Sequence, residues 1–516
     1  MPNIKPRILL LILLLAGLSL IGFTTPRVWA RKTSAALTSH WFVNTAAPKL
    51  AAVAKPASFG GTTTLTINPA VNNAGAVAEL IAAIVTANAN QDVDTIQFYP
   101  CSTYTFSAIN NYEYGPNALP QISSPIIIEG NGSTLFRNFD SPGVPNFRFF
   151  YVAGGLSYNS GMSTGLPAGT LTLRNLTLRG GQAKGGDSDK GGGGLGAGGA
   201  IFSQGTLTLE AVTFVDNTAR GGDANSGNGS TGGAGMGANT AANSADGTGF
   251  GGTFTGVGGL GASGGGGFRP GDDASGQNGG GQGELGSGGH DGGRGGSPTG
   301  MGGNYGFGGT GSNGGGGGIG GGGSGNTTGV GGGGGFGGGA GASSSGNSAG
   351  VGGFGGGGGV GTASGSTYGG GQGTGTYGGG GAGMGGAIFN HRGTVTLTNC
   401  TLYQNLAQGG TGASGLGGGI FNLNGTVNLY DCTIAKNKVG EGGCDSGLCE
   451  SDAEGGAIYN LTFGATIEDG TAAKASVKLR NTILANSVDG NDNPVNDLIY
   501  EQLSGDLTVD YAAKIS

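Results

Sequence analysis

Four short stretches of this chain are near-copies of one another: GGAIFS from Gly198, GGAIFN from Gly385, GGGIFN from Gly417 and GGAIYN from Gly455. The similarity runs on. GGAIFSQGTLTLEAVTFVDN (198–217), GGAIFNHRGTVTLTNCTLYQN (385–405) and GGGIFNLNGTVNLYDCTIAKN (417–437) share one pattern throughout, and the last two begin 32 residues apart. A fourth copy closes on LRNTILAN at Asn486. GTLTLRNLTLRGG (169–181) and PIIIEGNGSTLF (125–136) read as earlier, degenerate turns. Each copy holds two or three short alternating runs broken by Gly, Asn or a polar pair, which is strand patterning. A unit this short and flat cannot bury its apolar face alone, but stacked copies can. The expected fold class is an all-β solenoid.

In such a stack, equivalent residues lie about 4.8 Å apart along the axis. The alternation puts Ile388, Val395, Leu397 and Leu402 inside, then Ile420, Val427, Leu429 and Ile434 one turn on, with Thr394, Thr396 and Thr398 facing water. The paired Gly suits a bend with positive φ and close backbone approach. The Phe or Tyr supplies an apolar stack. The Asn that follows is placed to hydrogen-bond its own equivalent on the next turn. A second amide row is expected from Asn217, Asn405, Asn437 and Asn486. Cys400 and Cys432 also share a position, within reach of a disulfide or as a buried thiol stack.

Lys5 and Arg7, the apolar run Ile8–Phe23 and the VWA at Val28–Ala30 form a signal peptide over 1–30. No later run is long and apolar enough to span a membrane, so none is expected after cleavage. The mature protein is expected to be secreted or held at the cell surface, where disulfides are permitted. Five Cys leave at least one thiol unpaired within the chain, and CDSGLC (Cys444–Cys449) is a candidate small disulfide loop. The net charge of -7, with no basic cluster past the N-terminus, excludes nucleic acid as an expected partner.

Residues 31–60 read as a linker. Helical spacing appears in Ala74–Asn90, through Val77, Leu80, Ile81, Ile84 and Val85. It is flanked by strand patterns at Thr62–Ile67 and Asp94–Phe98. The helix is expected to cap the stack, giving a region of cap and first turns over 61–217 and later turns over 385–516.

GGAI followed by FxxN (Phe214 to Asn217, with Leu402 and Ile434 in later copies) resembles the repeat of polymorphic outer membrane proteins. More broadly it resembles the pectin-lyase-like right-handed parallel β-helix. ANANQDVDTIQF, PIIIEGNGSTLF and FRFFYVAGG resemble the N-terminal segment of secreted bacterial β-helix proteins that carry a CSLREA motif; here that motif is absent, and AELIAAI from Ala78 stands in its place. The resemblance implies a single-stranded right-handed coil and spans about 60–217 and 385–490. It implies little about function, because this fold hosts lyases, hydrolases, adhesins and structural proteins. The C-terminal barrel common beside this repeat is not expected after Asn486.

Of 516 residues, 128 are Gly, and most of the excess lies in an insertion over 218–384. Strict collagen periodicity is absent. Such composition buries too little apolar area to offset chain entropy, so a loosely ordered surface loop is expected. Because loop closure costs little more for a long loop than a short one, the flanking turns are expected to pair across it. The rival reading is a compact polyglycine array anchored by Phe250, Phe268, Phe307, Phe336 and Phe354.

Catalysis on such a fold needs converging carboxylates or a Ca²⁺-assisted base. Glu210, Asp216, Asp431 and Glu468, with Arg174, Lys436 and Arg480 as cations, are better explained as solvated strand-face charges. His40 and His290 fall in linker and insertion, and His391, beside Arg392, is expected to face solvent. Asp272, Asp273, Glu284 and Asp291 are too scattered for a calcium site. No residue is assigned a catalytic, cofactor or metal role, and no cofactor is expected. The expected function is that of a structural or adhesive protein contacting polysaccharide or a cell-surface partner. The alternatives are a polysaccharide lyase or glycoside hydrolase, and a passive glycine-rich matrix protein.

Overall fold

The computed structural model describes residues 59–155, 166–226, 231–240, 247–249, 320–323, 325–326, 331–343, 348–362, 365–443, 451–464 and 472–503. The expected signal peptide, nearly all of the linker, the CDSGLC loop, His40, His290, Glu468, Phe250, Phe268, Phe307, Asp272, Asp273, Glu284 and Asp291 lie outside them. Among the described residues, no helix is long and apolar enough to cross a membrane.

The described helix is Asn73–Ala87. The Asn72 side chain caps it by accepting from the Gly75 N–H at 3.0 Å. Its apolar stripe buries Leu80 and Ile84 among the core, with Val77 and Ile81 packed beside them and Val85 left outward. Asn73 ties its first turn to the strand Thr103–Phe106: its Nδ2 donates to the Thr105 carbonyl at 2.7 Å and its Oδ1 accepts from the Thr105 N–H at 2.8 Å.

Every pairing between defined strands is parallel, and the strands lie in stacked sheets compatible with a parallel β-helix. One pass of the chain shows why. Gly383–Met384, Ile388–His391, Thr394–Thr398 with Thr401–Tyr403, and Leu406–Gln408 each join a different run of strands. The next pass repeats them in register: Met384 opposite Leu416, Ile388 opposite Ile420, Val395 opposite Val427, Leu402 opposite Ile434 and Ala407 opposite Val439. All eight expected inward residues are fully buried. Thr394 is exposed, and Thr396 and Thr398 are half-buried on the outer side.

Corners are made where the backbone turns left-handed. The first Gly of each repeat, Gly198, Gly385, Gly417 and Gly455, has φ of 64–69°. The second Gly serves close approach between turns: a Cβ on Gly199 would lie 2.1 Å from the Gly386 carbonyl, and one on Gly386 2.1 Å from that of Gly418. Two further corner rows are left-handed without Gly. Asn175, Ala211, Asn399, Asp431 and Asn481 form one, and Asp216, Gln404, Lys436 and Asn486 the other. Asn and Asp tolerate this conformation better than most side chains, which accounts for their frequency here.

The amide rows are present. Asn390 Nδ2 donates to Asn422 Oδ1 at 2.7 Å, and Asn422 Nδ2 to Asn460 Oδ1 at 2.6 Å. In the second row Asn217 donates to Asn405, and Asn405 to Asn437, both at 2.9 Å. Asn486 does not join it. The strand Ile483–Ala485 pairs Ala485 with Ala435, so Asn486 sits opposite Lys436 and the buried Ser487 takes the row position. The alignment of the fourth copy is off by one residue there.

The first row also stops short. Ser203 stands opposite Asn390. Both are fully buried, and neither Ser203 Oγ nor Asn390 Oδ1 has a hydrogen-bond partner. The shorter side chain cannot span the gap between turns. Ser203→Asn is expected to complete the row and raise unfolding free energy by about 1 kcal/mol. Chemical denaturation measures it; an unchanged or lowered midpoint refutes the explanation.

The turns do pair across the insertion: Asn217 and Asn405 bond directly although 188 positions apart. The insertion is not a loose loop where it is described. Its glycine segments pack into an array with buried backbones. Gly337, Ala340 and Ser343 donate their N–H groups to the carbonyls of Phe354, Gly357 and Val360, while Gly339 and Ala342 donate to Ala234 and Thr231. Likewise Gly192 and Leu195 donate to Ala340 and Gly337, Gly193 and Gly196 to Gly379 and Ala382, and Gly194 to Gly186. Partners recur with a period of three, the repeat length of a polyproline II helix, so that successive N–H groups go to three different neighbours. Chain entropy is offset by backbone bonds and contacts that only a residue without Cβ allows. The expectation of a loose loop counted side-chain burial alone and missed this.

The array covers an apolar outer face. Since Ile388 points inward, Phe389 points out, and a second core forms between it and the glycine segments. Phe202, Phe389, Phe421 and Tyr459 run along it, with ring centroids 4.9, 5.4 and 5.3 Å apart. Leu195, Met236, Phe336, Phe354 and Met384 close it from the array side.

His391 belongs to that cover and not to solvent. It is buried, stacks on Phe336 at 4.9 Å and 10°, and its Nδ1 lies 3.0 Å from Gln204 Nε2. Burial, reinforced by the Arg392 charge, holds its pKa well below the usual histidine value. The folded protein therefore keeps it neutral while the unfolded chain takes up a proton below about pH 6.5. Its contribution is fully present above that pH and is lost as pH falls towards the depressed folded pKa, by about 1.4 kcal/mol per unit at most. Unfolding midpoints measured from pH 7.5 to 5 are expected to fall less steeply in His391→Gln than in the wild type; parallel curves refute this.

Candidate functional site

Register turns the outer face of the largest sheet into columns. Thr170, Thr206, Thr394, Thr426 and Ser476 form one. Thr172, Thr208, Thr396 and Asn428 form a second, two residues along the strands. Thr103, Thr134, Thr177, Thr213, Thr401 and Thr433 form a third. In sequence these threonines look irregular, because the long insertion separates turns that are neighbours in space.

A fourth column carries charge. Arg174 stands between Glu129 and Glu210, with its Nη1 2.7 Å from Glu129 Oε1 and its Nε 2.9 Å from Glu210 Oε2. Both carboxylates are thus occupied, in a partly exposed setting where such pairs contribute about 0–1 kcal/mol. Asp216 is held by Arg179 at 3.1 Å. Asp431 Oδ1 accepts from Asn481 Nδ2 at 3.1 Å. Asp216 and Asp431 occupy the two different left-handed corner rows. Lys436 lies over the Tyr403 ring at 5.8 Å, and Arg480 stands opposite Tyr430. The structure does not bring Glu210, Asp216 and Asp431 together. Among the described residues, no group of three or more His, Cys, Asp or Glu converges as a metal site.

Cys400 and Cys432 are free, buried thiols on adjacent turns; Cys400 Sγ donates to the Thr398 carbonyl at 3.3 Å and Cys432 Sγ to that of Tyr430 at 3.2 Å. The hydrogen bond with the neighbouring thiol, with burial, pushes Cys400 up from its ordinary pKa, while the same bond draws Cys432 down. Cys101 is free and exposed.

One further face was not singled out by the sequence. The strands Gln182–Lys184, Thr218–Arg220, Leu406–Gln408 and Lys438–Gly440 lie side by side, and a groove of about 630 Å³ opens on them. The local signal was present: AKGGD (183–187), ARGGD (219–223) and AQGGT (407–411) follow these strands as a repeated corner. No family model, curated protein or solved structure matches the chain.

Proposed function

We propose that this chain is an exported protein built on a single right-handed parallel β-helix, acting as a structural or adhesive surface component that contacts polysaccharide or a cell-surface partner. The observation that carries this reading is the outer face: three in-register columns of threonine, beside carboxylates that are each tied to an arginine or an amide. Hydroxyls at a fixed spacing on a rigid sheet suit adhesion to a repeating, hydroxyl-rich surface. Catalysis on such a face would call for a carboxylate free to transfer a proton or attack a sugar, and Glu129, Glu210 and Asp216 are held in ion pairs instead. The glycine segments spend their bonding groups within the chain, which speaks against a passive self-associating matrix.

The test is a glycan-array assay on residues 31–516, following release of reducing ends or unsaturated products from each bound glycan, with and without Ca²⁺. Binding without product supports adhesion. Product release replaces it with a lyase or hydrolase, and a blank array refutes the polysaccharide partner.

A further inference from the structure

The groove on the strands Gln182–Lys184, Thr218–Arg220, Leu406–Gln408 and Lys438–Gly440 has a composition of its own. Its lining includes Gln182 and Gln408 amides, Thr218 and Thr411 hydroxyls, and the Arg220–Asp223 pair. Arg220 Nη2 is 2.8 Å from Asp223 Oδ2. Its Nε, on the same guanidinium, is buried and has no hydrogen-bond partner. The Arg220 side chain as a whole is 43% exposed where it lines the groove.

Charge narrows what the groove can take. Each cation bordering the groove has its own carboxylate: Lys184 with Asp187 at 2.5 Å, Arg220 with Asp223, and Lys438 with Asp492 at 2.7 Å. An acidic polymer would meet no uncompensated positive charge. Planar amides, hydroxyls and an arginine–carboxylate pair are instead suited to the paired donors and acceptors of neutral sugars.

We propose that this groove is the subsite for an uncharged, hydroxyl-rich glycan chain, held by the amides, the hydroxyls and the Arg220–Asp223 pair that line it; the assignment rests on the adhesive reading above. The glycan lies across adjacent turns, between the Gln182 and Gln408 sides. Its exchange for water is driven by hydrogen bonds and not by ion pairing, so salt has little influence on it.

Gly443 permits a clean test. It lines the groove, and a Cβ built on it meets nothing within 4 Å. Gly443→Phe therefore adds bulk at the groove wall, with no clash at its first side-chain carbon. Calorimetric titration would compare the wild type, Gly443→Phe and Arg220→Met. The probes are neutral hexasaccharides of glucose, mannose and galactose, and a galacturonate hexamer. The expected result is binding of a neutral hexamer, weakened at least ~10-fold by either variant, as for loss of about one good hydrogen bond or more. Raising salt from low to high ionic strength is expected to change its Kd less than about twofold. Neutral binding that both variants leave unchanged overturns the groove assignment and leaves adhesion through the threonine face standing. Preference for galacturonate, lost in salt, overturns the uncharged class. No binding of any hexamer beside a positive glycan array overturns the groove assignment alone; with a blank array it overturns the groove and the polysaccharide partner together.

Discussion

Gly357→Ala is expected to destabilise the protein by about 3 kcal/mol or more, a large effect for one added methyl group. The new Cβ would lie 1.9 Å from the carbonyl oxygen of Gly379. That oxygen belongs to a neighbouring backbone, which cannot swing aside like the end of a side chain. Gly357 is itself bonded on two sides, donating to Gly193 and accepting from Ala340, so neither segment moves without losing hydrogen bonds. The matched control is Gly375→Ala, where a Cβ meets nothing within 4 Å, and the expected change is within about 0.5 kcal/mol. Differential scanning calorimetry on both separates packing from general intolerance of the insertion. Equal melting temperatures for the two variants would refute the packed array.

Asn422→Ala is expected to cost about 4 kcal/mol, since truncation leaves polar atoms on two turns without their partner, each worth about 1–3 kcal/mol, and adds a cavity. Asn422 is fully buried in the middle of its row. It accepts from Asn390, donates to Asn460, and donates to the Gly425 carbonyl at 2.8 Å. Asn428, also an asparagine on the same pass but outward, donates only to Thr396 Oγ1 at 3.4 Å. Its replacement by Ala is expected to change stability by less than about 0.5 kcal/mol. Urea unfolding of the two variants measures the difference, and similar midpoints would show that the row is not a structural tie.

What the sequence displayed was the repeat, and the repeat carried most of the fold. Ile388 and Ile420, Val395 and Val427, Leu402 and Ile434 announce their burial by period two and their pairing by a common offset. The row Asn390–Asn422–Asn460 was legible for the same reason. Asn486 was misplaced because its own copy contains extra residues, which hide a one-residue slip that only pairing at Ala485 reveals. His391 was misread because its neighbours in sequence, Asn390 and Arg392, are polar, whereas its cover, Phe336, arrives from the insertion. The insertion itself was the largest miss. Its energy lies in backbone groups, and a run of Gly looks the same in a sequence whether those groups face water or one another. The groove was partly legible as a recurring Lys/Arg-Gly-Gly-Asp corner, but Gln408 and Thr411 replace the charges in the third copy, and only register places the three side by side.

The threefold bonding of the glycine segments has a mechanical consequence. A β-sheet under load opens from its edge, one ladder bond after another, because each strand grips at most two neighbours in one plane. A segment such as Gly192–Gly196 grips neighbours in three directions, so it has no edge from which to be peeled. Tension on one segment is shared at once with the early region through Gly186 and with two stretches of the insertion, through Ala340 and Gly379. Under load the glycines would act as cross-bracing, turning a stack that could unzip into a body that must yield as a whole.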